Sequence, residues 1–491
     1  MEVVVTAIMG EIANRSISFL IDKYSKQRAP TTEDERLHNL RCLLLCVRVI
    51  VEEAEGYNIT NQGMVRQLNM MRKEMYRGYF AMDSFRSHAT EEKSKDHGVS
   101  HRFALSEFSP AKRLFFSNRE SHMEKEGSQV LNNLNNIIAD ASEFVTFLKN
   151  YPPLFRQPYS MHLILEKCMF GRQMEMERIM RFLILVEPQN SKNVGVLPIV
   201  GPAAVGKSTL VAHVCKDERV RSNFTQIVLI DECDPKGKVL NTFKGGGHQN
   251  NSLNGDENTL AIIEFSEDVN EDAWKRYLAC STSLARNARI IITSRSSKIV
   301  SFGTTEALIL NRLPMEAYWY FFKVLTFGSA DPKDQTKMES VAMEICKGIN
   351  GSFVGANVFS CLLKADHRAQ HWFMVREILR ILKERKSSFC GPDAFKKMKP
   401  TYFRRISNND YFAVYPYHEC FSGDMVPKTT VYDVLFGSVK CEGRFEVLGW
   451  KSLIPPYKKY IYTCNVRKMQ HSKKERHVNA TADHNSSASL V

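Results

Sequence analysis

Apolar residues recur at helical spacing through the first 150 residues, and the recurrence breaks where charged residues accumulate. The charged stretch 90–122 is expected to be a loop, because its apolar pattern is interrupted. Four amphipathic helices predict an antiparallel bundle over 1–150, with stripe residues such as Leu44 in its core. The alternative interpretation assigns part of the stripe to self-association or to peripheral contact with a membrane. The predicted helices cover about 1–26, 31–56, 62–87 and 124–149.

Short apolar runs alternate with helical patterns between residues 194 and 310. The runs are apolar on both faces, as buried parallel strands are, so a doubly wound α/β domain is predicted over 165–330. Pro198 is awkward in the first run, because proline cannot donate to a strand ladder. The polar stretch 236–257 is expected to be a mobile loop. The predicted strands are 194–200, Gln226–Ile230, Leu260–Phe265, Arg289–Thr293 and Ala307–Leu310.

The remainder of the chain changes character twice. Helical periodicity over 315–327 and 333–386 predicts further helices and a helical subdomain over 331–400. Short runs rich in tyrosine, valine and threonine then predict a small β-rich segment over 401–465. The last residues, 466–491, have the basic and polar composition of a disordered tail. The strands predicted in the β-rich segment are 411–415, 429–432, 445–448 and 460–463.

Composition is that of a multidomain globular protein, with 491 residues, 43% apolar and 25% charged. No apolar run is long enough to span a membrane, and the first residues lack the basic leader of a signal peptide. The 12 scattered cysteines indicate reduced thiols, and therefore the cytoplasm or nucleus. The net charge is +13, of which residues 396–491 carry +8. A solvated basic surface is favoured over a nucleic-acid or membrane partner.

The strongest chemical signal is the segment Gly201-Pro-Ala-Ala-Val-Gly-Lys-Ser-Thr209. A glycine-rich loop between a strand and a helix allows backbone N–H groups to surround a phosphate. Lys207 supplies a positive charge for the β- and γ-phosphates, and the Ser208 hydroxyl suits Mg²⁺. An apolar run precedes the loop and a helical pattern follows it, as the motif requires. The alternative, a glycine-rich turn that binds nothing, is disfavoured because Gly206, Lys207 and Ser208 all occur in order.

Two later strands end in residues that suit a nucleotide site. Glu264 follows four apolar residues and is the preferred acid for Mg²⁺, with Glu267-Asp268 as the rival register. Phe265 stands where a second, water-activating acid would be expected in a hydrolase. Arg295 ends the next strand, where a guanidinium can reach a γ-phosphate. The plainer interpretations are an acid at a strand end and a surface arginine.

These motifs, in this order, resemble plant intracellular immune receptors of the nucleotide-binding NB-ARC class, with a coiled-coil N-terminal domain of the grass type. The resemblance covers about residues 1–385. It is carried by Phe170-Gly-Arg172, Gly201–Thr209, 260–264, Ile290–Arg295, Leu310-Asn-Arg-Leu313, Ala317–Phe322 and Ile345–Leu363.

The resemblance implies a molecular switch in which ADP holds a closed state and ATP an open, oligomerising state. It places Gly171 and Arg172 near the adenine and makes Arg295 the sensor of the γ-phosphate. It assigns Lys207, Ser208 and Thr209 to the phosphates and Mg²⁺. Protein partners are expected to be other immune receptors, effectors or signalling proteins, in the cytoplasm, the nucleus or at the plasma membrane.

The chain also departs from the family pattern. Phe353 stands in Gly351-Ser-Phe-Val354 where the family has a proline, and only Asp83 remains of the acidic motif of the third helix. No Met-His-Asp motif follows residue 385 and no leucine-rich repeat period is visible. The sequence therefore predicts a truncated or atypical receptor with weak or absent ATP turnover. The alternatives are an active P-loop ATPase and a degenerate scaffold that binds no nucleotide.

Overall fold

The computed structural model describes about two thirds of the chain. The predicted helix 1–26 and the polar tail after Arg467 lie outside it. The described residues are 33–57, 59, 61–96, 110–148, 150–151, 169–184, 194–230, 239–244, 258–265, 268–284, 287–328, 336–387, 401–404, 411–414, 418–420, 426–436 and 443–467.

Three long helices pack against one another at the N-terminal end of the described chain. They are α1 (Glu33–Ala54), α2 (Gln62–Asp96) and α3 (Pro110–Leu148). Leu44 of α1 and Leu134 of α3 are almost fully buried. Gly78 of α2 lies between them, and a Cβ added there would be 2.5 Å from the Leu44 side chain. The apolar stripes therefore form the core of this bundle, as predicted.

The charged stretch 90–122 is not the loop that was expected. Helix α2 continues to Asp96 and helix α3 begins at Pro110, so only 97–109 is left outside the described helices. Glutamate, lysine and alanine are good helix formers and need no apolar stripe when their helix faces solvent. Broken hydrophobic periodicity is therefore poor evidence against a helix here.

A six-stranded sheet forms the centre of the fold, in the order β3-β2-β4-β5-β1-β6. All neighbouring strands are parallel except β3, which pairs antiparallel with β2. The prediction of a parallel α/β core between helical and β-rich parts is confirmed. The strands are β1 (Gly195–Val200), β2 (Gln226–Ile230), β3 (Val239–Lys244), β4 (Asn258–Glu264), β5 (Asn287–Ser294) and β6 (Leu308–Ile309).

Helices cover both faces of this sheet. Residues Leu197 and Ile199 of β1 face one apolar cluster, and Val196 and Val200 face the other. Burial on both faces explains why the parallel strands are apolar throughout. The first face is covered by α4 (Gln173–Ile184), α5 (Lys207–Val214) and α6 (Glu218–Asn223), and the second by α7 (Glu271–Leu284) and a 3₁₀ turn at Ser297–Phe302.

The sheet differs from its prediction at one edge strand, and it also shows why a proline is tolerated in β1. Residues 239–244 form the edge strand β3, although the surrounding stretch was expected to be a loop. A strand at a sheet edge has a partner on one side only, so its sequence need not be apolar. Pro198 is tolerated because the N–H that a proline lacks would point to the β6 side of the strand. The N–H of Val196 points to that same side and donates to the Thr304 hydroxyl. Strand β6 pairs only with Ile199 and Val200.

In the described part of the chain, four helices follow the sheet, over the residues where the periodicity predicted helical structure. They are α8 (Met315–Phe327), α9 (Thr336–Ile349), α10 (Phe353–Lys364) and α11 (Ala369–Ser387). Helix α8 packs against α9, α10 and the bundle helix α2, and α2 also packs against α9. Among the described residues, none of the helices combines the length and apolarity that a membrane crossing requires.

The chain divides into two compact units, one of Met1–Arg380 with Ser452–Tyr457 and one of Ile381–Lys451 with Lys458–Val491. The second unit holds an antiparallel sheet with strand order β10-β11-β8-β7, and β9 also pairs with β11. Its elements are β7 (Thr401–Arg404), β8 (Tyr411–Val414), β9 (His418–Cys420), helix α12 (Val431–Leu435), β10 (Gly443–Lys451) and β11 (Lys459–Arg467).

The strand predicted over 429–432 is wrong. Thr430 instead caps α12: its hydroxyl accepts from the Asp433 N–H at 3.2 Å, and its own N–H donates to the Asp433 carboxylate at 2.8 Å. The β-branched residues favoured a strand locally, but a threonine followed three residues later by an acid starts a helix.

Candidate functional site

The candidate site begins with the loop that connects β1 to α5. Ala204 and Gly206 have positive φ angles of 58° and 91°, which turn the loop around its own centre. Gly201 passes so close to the next segment that an added Cβ would lie 2.3 Å from the Leu310 carbonyl oxygen. The two glycines are thus required for different reasons, one for space and one for backbone conformation. The loop has the geometry that the sequence motif predicted.

Helix α5 starts at Lys207, so Ser208 and Thr209 lie in its first turn. No side chain caps this helix, which leaves its first N–H groups directed at the loop. The Lys207 amine donates to the carbonyl oxygens of Gly201 and Pro202, at 2.6 and 2.9 Å. The amine therefore lies over the loop, among uncapped amides. This donor set suits the phosphates of a nucleotide and fits the predicted cofactor.

Two contacts hold the loop from outside. The Arg172 guanidinium donates to the carbonyl oxygens of Val205 and Asn311, at 3.4 and 2.5 Å. The N–H of Phe353, at the start of α10, donates to the Ala204 carbonyl at 3.0 Å. The loop is thereby joined to the segment after β6 and to helix α10. A change in the conformation of the loop would therefore alter its contacts with both of these segments.

Arg172 is more deeply buried than a surface ligand-binding arginine would be, with 4% of its surface exposed. It pairs with Glu175 at 3.0 Å in addition to its two carbonyl contacts. Its Nε is buried without a hydrogen-bond partner, so one donor remains at this point. Gly171 has a φ of 67° and lies against Leu313. The structure therefore makes Arg172 a residue that positions the phosphate loop, while the predicted adenine contact stays a prediction.

The predicted acid, Glu264, is the last residue of β4 and is half-buried. It is aligned with Thr293 of β5, and β5 in turn is aligned with β1, whose Val200 is opposite Ser294. Strand β5 therefore stands between the acid and the phosphate loop at the same edge of the sheet. Within the described residues no group of three or more His, Cys, Asp or Glu is arranged to hold a metal. Mg²⁺ at Ser208 and Glu264 stays a prediction.

Phe265 points away from this edge. It is buried against α7, and its ring meets Tyr277 edge-on at 5.4 Å between centroids. Its N–H donates to the Thr293 carbonyl at 2.8 Å. The position that would carry a water-activating acid is therefore part of the apolar core. An acid could not replace Phe265 without burying a charge.

The rival register is disfavoured by the contacts of Asp268. Its carboxylate accepts from the Lys298 amine at 2.6 Å. This hydrogen bond and a second from Ser296 lower the pKa of Asp268. Asp268 is exposed and lies beyond the end of β4. Glu264 is the acid that the strand itself brings to the sheet edge.

Arg295 directly follows β5 and is exposed, beside the buried Thr293 and Ser294. Because β5 lies next to β1, Arg295 emerges at the same sheet edge as the phosphate loop. The order of strands therefore brings together the three segments that the sequence separated by about 60 and 30 residues. The role of Arg295 as a phosphate sensor stays a prediction.

The start of α10 contributes to the site in a way that the sequence motifs did not predict. Asn350 and Gly351 both have positive φ angles, of 55° and 77°, and reverse the chain. Ser352 then caps α10 by accepting from the Gly355 N–H at 3.0 Å. This turn delivers the Phe353 N–H to the phosphate loop. The Asn-Gly-Ser order could have indicated it, since these residues favour left-handed turns and helix caps.

Known proteins similar in sequence to this chain belong to the class that the motifs resemble. No protein-family profile matches the chain. The disease resistance protein RGA2 of Solanum bulbocastanum is 22% identical over 362 residues, which cover 70% of this chain and 36% of that protein. The disease resistance RPP13-like protein 1 of Arabidopsis thaliana is 24% identical over 376 residues, covering 68% and 34%. The chain spans about a third of the length of these relatives. They confirm the resemblance to plant NB-ARC disease resistance proteins.

Solved structures give only weak likeness. The RuvB Holliday junction branch migration motor of Thermotoga maritima matches with a TM-score of 0.28 and 11% identity, covering 44% of this chain and 74% of that one. PCH-2 of C. elegans matches with a TM-score of 0.28 and 13% identity, covering 44% and 69%. The fold assignment rests on the strand order described above.

Proposed function

We propose that this chain, a relative of plant disease resistance proteins, is an ADP/ATP-binding switch that acts in defence through protein partners. The observation that supports this most directly is the phosphate loop. It combines the left-handed Gly206, the uncapped start of α5 and the Lys207 amine held over the loop carbonyls. A glycine-rich turn that binds nothing would not need these three features together.

The roles of the residues follow from their places at the sheet edge. Lys207, Ser208 and Thr209 would hold the phosphates, with Ser208 and Glu264 at Mg²⁺. Arg295 would respond to a third phosphate. The nucleotide supplies negative charge that differs between ADP and ATP. Lys207 would exchange its carbonyl partners for phosphate oxygens, and Arg172 and Phe353 would carry the change of loop geometry to their own segments.

Switching is favoured over turnover because of Phe265. The side chain lies in the core beside Tyr277, so this strand offers no second acid to activate water. An active P-loop ATPase is the first alternative, and a degenerate scaffold that binds no nucleotide is the second. The preferred role is that of an atypical receptor that works through other receptors, effectors or signalling proteins. Its location in the cytoplasm, the nucleus or at the plasma membrane stays a prediction.

Binding is tested by calorimetry of the full chain with ADP and with ATP plus Mg²⁺, and by identifying any nucleotide that co-purifies. Wild-type protein should bind, and Lys207→Ala should lose at least tenfold in affinity because a charge-assisted contact is removed. Lys275→Ala is the matched control, because this lysine is exposed on α7 and pairs there with the equally exposed Glu271. Its affinity should equal that of wild type.

Phosphate release separates the alternatives. Weak or absent multiple turnover, together with binding, supports the switch. Sustained turnover that is lost in Lys207→Ala would establish the ATPase instead. Well-folded wild-type protein that gives no heat and no thermal shift with either nucleotide would establish the scaffold.

A further inference from the structure

A buried polar cluster joins the N-terminal bundle to the helices that follow the sheet. Asp83 of α2 accepts from the Trp319 indole N–H and the Lys323 amine of α8, both at 2.8 Å. Lys323 also donates to Glu339 of α9, at 3.0 Å. The Asp83 and Glu339 side chains are 0% and 1% exposed, and Lys323 is 15% exposed. Three helices therefore meet around two acids and one amine.

The cluster contains more acceptors than donors. Asp83 Oδ1 and Glu339 Oε2 are both buried without a hydrogen-bond partner. Arg86 of α2 forms a longer ion pair with Asp83, in which its Nη1 lies 3.8 Å from Asp83 Oδ1, beyond hydrogen-bond distance. Two unsatisfied carboxylate oxygens in one buried interface are costly. A proton on Glu339 would provide the missing donor.

The electrostatics of the cluster point the same way. Burial, followed by the charge of Asp83, raises the pKa of Glu339 from 4.5 to about 7, although Lys323 opposes the rise. The two acids outweigh desolvation of Lys323 and raise its pKa, so the amine stays charged. The other titratable groups nearby are Arg86, described above, and Tyr79 of α2. Burial raises the pKa of Tyr79, which interacts with Asp83 and Lys323 and with Arg48 of α1.

We propose that Glu339, beside Asp83, carries a proton when α2 is packed on α8 and α9, so that this packing takes up a proton and weakens as the pH rises. The proton would satisfy a carboxylate oxygen that otherwise has no partner. Separated from Asp83 and hydrated, Glu339 would release the proton near its ordinary pKa. The regulated element is the attachment of the bundle, and it is independent of whether the phosphate loop binds a nucleotide.

The direction of the effect follows from linkage. The packed state has the higher pKa, so its contribution is fully present below about 4.5 and is lost as the pH rises through about 7. Between pH 6 and pH 8, the equilibrium constant for opening of the interface should rise about tenfold. Alkaline conditions therefore favour release of α2.

Hydrogen exchange of the full chain, read on amides of α2 and α8 and corrected for the chemical exchange rate at each pH, measures this opening. The wild type should show the tenfold rise. Glu339→Gln supplies a neutral side chain of the same shape and should reduce the rise to less than twofold. Glu344→Gln is the matched control, since Glu344 lies on the same helix, is half exposed and pairs with Arg376. It should behave as wild type.

Asp83→Asn provides a second variant, in case Glu339→Gln perturbs folding. It removes the other acid and should likewise flatten the pH dependence. A wild-type opening constant that does not change with pH would overturn the proposal, and so would a variant at either acid that keeps the full wild-type rise. Loss of the rise in both variants, with the control unchanged, would support it.

Discussion

Replacing Lys323 by methionine tests how strongly the buried cluster holds the bundle. Methionine keeps most of the apolar stem and removes the amine that bridges Asp83 and Glu339 at 2.8 and 3.0 Å. Two buried carboxylates would then remain, and the Trp319 indole would be the one donor left to the Asp83 carboxylate at hydrogen-bond distance among the described residues. The change therefore removes the principal positive charge from a site that water scarcely reaches.

The size of the effect follows from burial. Removing one partner of a buried ion pair costs roughly 3–5 kcal/mol, because the other charge stays buried and unpaired. Proton uptake limits this cost. Protonating an ordinary glutamate at pH 7, two and a half units above its pKa of 4.5, costs about 3 kcal/mol. We therefore expect Lys323→Met to lose about 3 kcal/mol of opening free energy at pH 8, and clearly less at pH 5.5.

Native-state hydrogen exchange on α2 is the appropriate assay, because a multidomain chain need not unfold in one step. Lys337→Met serves as the control, since Lys337 is exposed on the same helix as Glu339. Adding Glu339→Gln to Lys323→Met should recover a large part of the loss. If Lys323→Met matched the control at both pH values, the cluster would contribute no net stability. An equal loss at pH 5.5 and pH 8 would contradict the proton-uptake argument.

Three further predictions concern the bundle, the loop and the thiols. Leu44→Glu should destabilise the bundle by about 4 kcal/mol in chemical denaturation, because it buries a charge. Leu45→Glu, at a side chain that is 55% exposed, should change stability by less than about 0.5 kcal/mol, and equal losses in the two variants would contradict the assigned core. Gly206→Ala should weaken ADP binding about 5- to 30-fold in calorimetry, since alanine at a φ of 91° costs about 1–2 kcal/mol. Ala204→Gly should not weaken binding, and unchanged affinity in Gly206→Ala would exclude this loop conformation from the bound state. In thiol labelling at pH 8, Cys361 should react first among the described cysteines because it is exposed. Burial raises the pKa of Cys46 to about 11 and of Cys215 to about 12, so both thiols stay protonated, and rapid labelling of either would show that its surroundings open readily.

The central sheet was largely predictable because its strands are buried on both faces. Runs such as 226–230 and 289–293 are almost entirely apolar, and they became β2 and the middle of β5. Strand β3 was missed because an edge strand needs apolar residues on one face at most. Helix α12 was missed because threonine and valine favour strands locally, whereas the bond between Thr430 and Asp433 starts a helix.

The candidate site was predictable in its residues but not in its supports. The loop from Gly201 to Thr209 is one continuous motif, so its chemistry can be read without a structure. Arg172 is 33 residues from the Val205 carbonyl and 139 from that of Asn311. No local pattern indicates that this arginine holds the loop, nor that the Phe353 N–H binds Ala204.

The sequence by itself determined the buried parallel strands, the amphipathic helices and the phosphate-binding motif, because each depends on residues close together in the chain. Only the tertiary structure decided which distant groups share a buried environment. The sequence identified Asp83 as the one acid left of an acidic motif. Lys323 and Glu339, which share its buried cluster, follow about 240 and 256 residues later. A pKa near 7 at Glu339 depends on desolvation and on the charge of Asp83, and both arise only when the three helices pack together.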